Sequence, residues 1–173
     1  MGQVENRLSI GPRLGVNFSS VDLEGTASNT GLVAGLTSTY SINERFGLTI
    51  DLLYSAEGYQ LFANEIEVNY FSLPILYNAF FGQLGEKFRP KIYIGVAPNV
   101  LLQADVNDND LKDQFESFGI DGMVGLGFNY RLANRIWLNT DLRGALGLIA
   151  VQKLPEELKS RKLQLSVGIA YGL

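Results

Sequence analysis

Residues 162–173 read KLQLSVGIAYGL, an unbroken alternation of large apolar residues with small or polar ones. The apolar set is Leu163, Leu165, Val167, Ile169, Tyr171 and Leu173, and the set between them is Lys162, Gln164, Ser166, Gly168, Ala170 and Gly172. Because a β-strand sends successive side chains to opposite faces, this stretch predicts a strand with one apolar face and one thin, polar face.

The same alternation recurs along the whole chain and predicts a single domain, residues 1–173, built from eight strands. No segment shows a sustained helical period, and no apolar run is long enough for a membrane-spanning helix. We place the strands at residues 7–19, 31–42, 46–58, 66–82, 88–104, 116–132, 135–150 and 161–173.

The links between these strands alternate in length. Short links lie at residues 43–45, 83–87 and 133–134, and longer ones at 20–30, 59–65, 105–115 and 151–160. An antiparallel up-and-down barrel places alternate links at opposite ends. Long loops on one rim and tight turns on the other are typical of a bacterial outer-membrane barrel.

The size of the two faces indicates which one points outward. The apolar face carries roughly forty large side chains, too many for the interior of an eight-stranded barrel. The opposite face carries many glycines, which leave room for long polar neighbours, and inward charges at Arg13, Asp51, Asp121, Asp141 and Arg143. We therefore predict an all-β, eight-stranded antiparallel up-and-down transmembrane β-barrel with its apolar face against lipid. A soluble lipocalin-like barrel that binds a small apolar ligand, and a two-sheet sandwich, are the alternatives.

Aromatic residues cluster at the ends of the predicted strands, as the two lipid–water interfaces of a membrane barrel favour. Trp137 is an exception, because its parity points inward and suggests an irregular strand start. The predicted interface aromatics are Tyr40, Phe46, Tyr77, Phe81, Phe128, Tyr130 and Tyr171 at the tight-turn end, with Tyr54 at the other end.

Some segments of the chain carry a family resemblance: residues 11–19, 52–58, 69–76, 93–98 and 125–128, and the last strand. In this order, they resemble the PorT-like outer-membrane β-barrel domains of Bacteroidetes, often called the porin family. The resemblance implies an eight-stranded barrel in the outer membrane of a Gram-negative bacterium, with its N-terminus in the periplasm. PorT itself is associated with type IX protein secretion.

The last strand also resembles the signal that the outer-membrane assembly machinery reads. Ser166, Gly168, Tyr171 and Leu173 match its polar, glycine, aromatic and terminal apolar positions, although the final residue is often Phe. We expect a monomer whose partners are outer-membrane lipids, lipopolysaccharide and this machinery. No signal peptide is visible, and we expect that one was removed before Met1.

The inward charges Arg13, Asp51, Asp141 and Arg143 fall near mid-barrel by residue count. Unpaired charges shielded from water are costly, so we expect them to form an ion-paired plug; a gated pore is the functional alternative.

Two other charged segments could be either ordinary solvent-exposed surface or a binding site. Asp105, Asn107, Asn109 and Glu116 have the spacing of an EF-hand calcium loop, but Asp110 occupies the required glycine position. We favour a solvated acidic loop and expect no metal. Basic residues next to the last strand could contact anionic lipid head groups, although we favour an ordinary charged rim. These are Lys153, Lys159, Arg161 and Lys162.

The composition excludes several functional classes. With no histidine and no cysteine, the usual general base, the Ser-His and Cys-His pairs and thiolate metal sites are absent. Asp121 and Asp141 have nearby arginines that would neutralise a paired-carboxylate site. A net charge of −4 gives no basic surface for nucleic acid. We expect no enzyme activity and no cofactor, and a structural or surface-interaction role; a PorT-like role in secretion is the alternative.

Overall fold

The computed structural model describes residues 7–21, 26–61, 64–106, 109–110, 118–149 and 160–173. Every regular element in these ranges is a strand, and no helix there is long and apolar enough to cross a membrane. The strands are β1 (Leu8–Val21), β2 (Thr26–Ser41), β3 (Phe46–Leu61), β4 (Asn64–Ser72), β5 (Ile75–Phe80), β6 (Phe88–Val106), β7 (Asn109–Asp110), β8 (Phe118–Ala133), β9 (Ile136–Ile149) and β10 (Ser160–Gly172).

The strands close into a ring. β1 pairs antiparallel with β2 on one side and with β10 on the other. Between them each strand pairs with its neighbours in the chain, β4 and β5 together form one stave between β3 and β6, and β7 pairs only with β6. The result is eight staves with no open edge, and the predicted eight-stranded antiparallel up-and-down barrel is confirmed.

The fourth stave is broken where the sequence predicted one strand over 66–82. Leu73 and Pro74 separate β4 from β5, because proline has no N–H to donate to the ladder. The ring stays closed across the break. The Leu73 amide donates to the Pro98 carbonyl at 2.9 Å, and the Asp51 amide donates to the Pro74 carbonyl at 3.0 Å.

The two ends of the barrel differ less than the predicted links suggested. The tight-turn rim carries the links 42–45, 81–87 and 134–135, and the opposite rim carries the other four links. Residues 20–30 and 59–65, predicted as loops, lie largely in strands, since β1 and β2 are separated only by 22–25, and β3 and β4 only by 62–63. These extensions are held by backbone pairing, which apolar alternation alone does not reveal.

The apolar face points outward on every stave. On β3, Ile50, Leu52 and Tyr54 are more than two-fifths exposed. Thr49 and Asp51, on the opposite face of the same strand, are each at most 1% exposed. A soluble barrel or sandwich would bury its leucines and expose its arginines, so both soluble alternatives are wrong. Soluble proteins rarely leave so large a contiguous apolar surface uncovered.

Most of the predicted rim aromatics lie on this outward face. Phe46 and Tyr77 stack with ring centroids 5.6 Å apart. Phe128 and Tyr130 are half-buried, and the exposed members are Tyr40, Phe46, Tyr54, Tyr77, Phe81 and Tyr171. Their position at a lipid–water interface stays a prediction.

Trp137 lies at an irregular strand start. The pairing of β8 with β9 shifts register between Arg131 and Ala133, and Arg135 in the adjoining turn has a φ of 67°. Trp137 is half-buried, and its ring lies 6.0 Å from the Arg131 guanidinium carbon. The bulge accommodates a large aromatic residue at a position whose parity points inward.

Candidate functional site in the barrel lumen

Glycines on the inner face let long side chains reach across the staves. Lys91 on β6, Gly127 on β8 and Asp141 on β9 lie side by side, and so do Tyr93, Gly125 and Arg143. A Cβ at position 125 would lie 2.5 Å from the Tyr93 ring, and one at position 127 would lie 2.6 Å from Asp141 Oδ1. The β6 side chains therefore reach over β8 to those of β9 only because the residues between them are glycines.

Five charged side chains meet in the middle of the lumen and form what we call the lumen charge cluster: Arg13, Asp51, Lys91, Asp141 and Arg143. Asp141 forms salt bridges with Arg13 Nη1 at 2.5 Å and with Lys91 Nζ at 2.8 Å. Asp51 lies 2.6 Å from Arg143 Nη2 and 3.7 Å from Arg13 Nε. No member is more than 3% exposed, so the pairs are formed away from bulk water.

Neutral polar side chains surround the cluster. Arg13 also donates to Ser166 Oγ at 3.0 Å and to Thr37 Oγ1 at 3.2 Å. Towards the tight-turn rim, Thr49 joins the Thr39 hydroxyl at 2.9 Å and accepts from the Asn78 amide at 2.9 Å. These hydrogen bonds join neighbouring strands through their inward side chains.

The structure brings together four of the predicted network residues and leaves out the fifth. Arg13, Asp51, Asp141 and Arg143 all belong to the cluster. Asp121 lies apart, and the expectation that a nearby arginine neutralises it is wrong. Its Oδ2 accepts from Lys162 Nζ at 3.1 Å and from the Asn99 amide at 2.9 Å.

Sequence reasoning missed Lys91, the fifth member of the cluster. Its parity on β6, shared with Tyr93, would have placed it on the inner face. It stands near the start of that strand, so residue count alone does not place it at mid-barrel. The register of β6 against β8 brings it level with Gly127, and its long stem covers the remaining distance to Asp141.

The basic residues predicted to form one cluster beside the last strand have different positions in the structure. Lys162 points into the lumen, is 13% exposed and lies 5.2 Å from the Tyr70 ring, so it does not face lipid head groups. Arg161 is exposed. Lys153 and Lys159 lie outside the described residues.

The predicted calcium loop lies mostly outside the described part of the chain, which omits Asn107 and Glu116. Asp105 and Asn109 are described through their backbones, in the β6–β7 pairing. Within the described ranges, no group of three acidic side chains is arranged to hold a metal ion.

The predicted assembly signal spans both faces of β10. Ser166 and Gly168 are buried in the lumen, whereas Tyr171 and Leu173 are 47% and 59% exposed on the outside. Recognition of this strand by the assembly machinery stays a prediction.

Each charge of the cluster lies within 4.0 Å of an opposite charge of the same cluster. Arg143 also lies 5.8 Å from the Tyr93 ring, and the Tyr93 hydroxyl donates to the Leu142 carbonyl at 3.3 Å. Such an arrangement links strands across the lumen.

Solved structures show the same architecture at low sequence identity. Neisserial surface protein A (NspA) has a TM-score of 0.72 and 16% identity over 96% of this chain and 97% of its own. OprG from Pseudomonas aeruginosa has a TM-score of 0.56 and 18% identity over 95% and 94%. The outer membrane enzyme PagL has a TM-score of 0.56 and 16% identity over 92% and 97%. At these identities the likeness shows the fold alone.

Sequence comparison identifies the family. Among curated proteins, none is similar enough in sequence to match this chain. The family model described as "Outer membrane protein beta-barrel domain" matches residues 1–152. With a closed ring of eight staves and an apolar outer face, the chain belongs to the outer membrane protein β-barrel domain family and resides in the bacterial outer membrane.

Proposed function

We propose that the protein is a non-enzymatic outer-membrane barrel with a structural or surface-interaction role, and that its lumen is closed. The lumen charge cluster carries this proposal. Its five side chains are at most 3% exposed and link staves from β1 to β9 across the middle of the barrel. A solute would have to break buried ion pairs to pass, so the parts of the molecule that meet water are its two rims.

An enzymatic role has less support. PagL is an enzyme with this fold, so the fold itself is compatible with catalysis. This chain has no histidine, and the acids Asp51, Asp121 and Asp141 are each paired with a cation in the lumen. A carboxylate whose oxygens contact a cation in this way is not directed at a substrate. Incubation with outer-membrane lipids and mass spectrometry of the products should show no change in the lipids.

The surface role follows from the closed lumen and the extended strands of the opposite rim. β6 continues to Val106 and pairs there with β7, so the β-sheet extends to this rim. NspA, a surface protein by name, shares this architecture over nearly its full length. We place the opposite rim outside the cell, with the tight-turn rim in the periplasm.

Planar-bilayer recording tests the closed lumen. Protein whose insertion has been verified by its heat-modifiable gel mobility should give no stable channels. Reproducible single-channel steps from the wild-type protein would contradict the proposal.

Cysteine labelling tests the orientation, and the absence of native cysteine gives a clean background. A membrane-impermeant maleimide should label Asp110→Cys on intact cells, and Glu44→Cys, in a link of the tight-turn rim, only after permeabilisation. The reverse pattern would place the tight-turn rim outside.

A PorT-like part in protein secretion is the alternative that the sequence resemblance suggests. It predicts stable complexes with periplasmic secretion components. Affinity purification from crosslinked cells separates the two roles, because a structural or surface role predicts that assembly factors are the only periplasmic proteins recovered.

A further inference from the structure

A small cavity lies in the lumen directly beyond the charge cluster, towards the opposite rim. Its volume is about 20 Å³, and Asn17, Ser55, Asn99, Arg143 and Gln164 are among the residues that line it. Roughly 10–15 Å³ is enough for one water molecule, so the space suits one or two particles of that size and excludes an organic molecule.

The cavity wall presents hydrogen-bond donors that have no acceptor. Arg143 is 1% exposed and contacts Asp51 through Nη2, but its Nε and Nη1 have no hydrogen-bond partner among the described residues. Gln164 is 6% exposed, and its Nε2 also has none. The two residues lie directly opposite each other on β9 and β10. Of the side chains that line the cavity, these are the ones with unpartnered buried atoms, and every such atom is a donor.

The formal charges of the lumen charge cluster do not balance. In the cluster, Arg13, Lys91 and Arg143 face only two carboxylates, which leaves a formal charge of +1. Asp121 and Lys162 also line the cavity, and they neutralise each other at 3.1 Å. A buried, uncompensated charge is costly, and a water molecule would satisfy the donors without removing that charge.

We propose that this cavity binds one monovalent anion of about the size of chloride, held by Arg143 and Gln164. The anion supplies the acceptor that three buried donor atoms lack and the negative charge that the cluster lacks. This site is independent of the surface role, because it depends only on the lumen of the folded barrel.

Halide-dependent stability tests the site in solution. The refolded protein in a zwitterionic detergent is unfolded with urea in chloride, in bromide and in gluconate, which is too large for the cavity, at constant ionic strength. A site that binds only the folded state raises the folding equilibrium constant about elevenfold at ten times Kd. We expect a saturable stabilisation by both halides over gluconate; identical stability in all three salts would mean that water fills the cavity and would overturn the proposal.

A pair of matched variants locates the site. Gln164→Glu places a carboxylate opposite Arg143, so it should stabilise the protein in gluconate and abolish the halide dependence. Asn129→Asp makes the same amide-to-carboxylate change outside the cavity lining and should keep the halide dependence. Halide dependence that survives in Gln164→Glu would place the ion elsewhere and refute the assignment.

Anomalous scattering tests halide binding at this site in the wild-type protein, even if Gln164→Glu does not fold. Wild-type crystals soaked in bromide should show an anomalous peak within hydrogen-bond distance of Arg143 and Gln164. Absence of that peak at saturating bromide would refute the site.

Discussion

Neutralising Asp141 should unfold the barrel far more easily than an ordinary surface substitution. Asp141 is 0% exposed, lies 2.5 Å from Arg13 Nη1 and 2.8 Å from Lys91 Nζ, and has Arg143 Nη2 at 4.0 Å. In Asp141→Asn, three buried cations would face the single carboxylate of Asp51. Removing one partner of a buried ion pair costs about 3–5 kcal/mol, a large part of the roughly 5–15 kcal/mol that separates folded from unfolded proteins.

The assay is urea unfolding from lipid vesicles. Fluorescence of the single tryptophan, Trp137, and gel mobility report the folded fraction. Asp121→Asn is the matched control, and it should cost less than Asp141→Asn because Asp121 contacts one cation, Lys162, which is 13% exposed, instead of several fully buried ones.

A double variant separates charge imbalance from other effects of the substitution. Adding Lys91→Met to Asp141→Asn removes one of the unpaired cations, so the loss in the double variant should be smaller than in Asp141→Asn alone. A cost below about 1 kcal/mol for Asp141→Asn, or no recovery on adding Lys91→Met, would refute the reasoning that these buried charges stabilise one another.

The outer face and the glycines of the inner face give two further predictions. Leu126→Arg, on the outward face of β8, should cost about 2–4 kcal/mol in vesicles, and Leu132→Arg near the tight-turn rim about 0–1 kcal/mol; equal costs would contradict a hydrocarbon band around mid-strand. Gly125→Ala should cost about 1–3 kcal/mol, because its Cβ would lie 2.5 Å from the Tyr93 ring. Adding Tyr93→Leu should recover most of that loss in the same urea assay, and a loss that persists would point to backbone strain instead.

The fold was predictable because the alternation is long and its two faces differ strongly in volume. The parity of Arg13, Asp51, Asp141 and Arg143, together with the electrostatic cost of separating them, was enough to predict that they meet. The same parity argument does not predict how far along the barrel axis an inward side chain lies. Strand tilt and register decide which inward residues lie level, and for this reason Lys91 was missed although its parity was correct.

The strand extensions were not predictable from hydrophobic periodicity. Residues 26–28 pair with 59–61 through their backbones, and this pairing does not depend on which side chains the strands carry. Lys162 shows a related limit. Its basic neighbours in sequence suggested a rim role, whereas the alternation of β10, which it shares with Gln164, points it into the lumen towards Asp121.

Contacts between lipid and methyl groups test the central claim, the outward orientation of the apolar face, most directly. The unmodified protein in lipid nanodiscs, with labelled leucine and valine methyls, carries its own controls on the two faces. Leu165 and Val167 are 45% and 46% exposed, whereas Leu53 and Val33 are each 2% exposed. We predict nuclear Overhauser effects from lipid acyl chains to Leu165 and Val167 and none to Leu53 and Val33; acyl-chain contacts at Leu53 and Val33 instead would contradict the orientation.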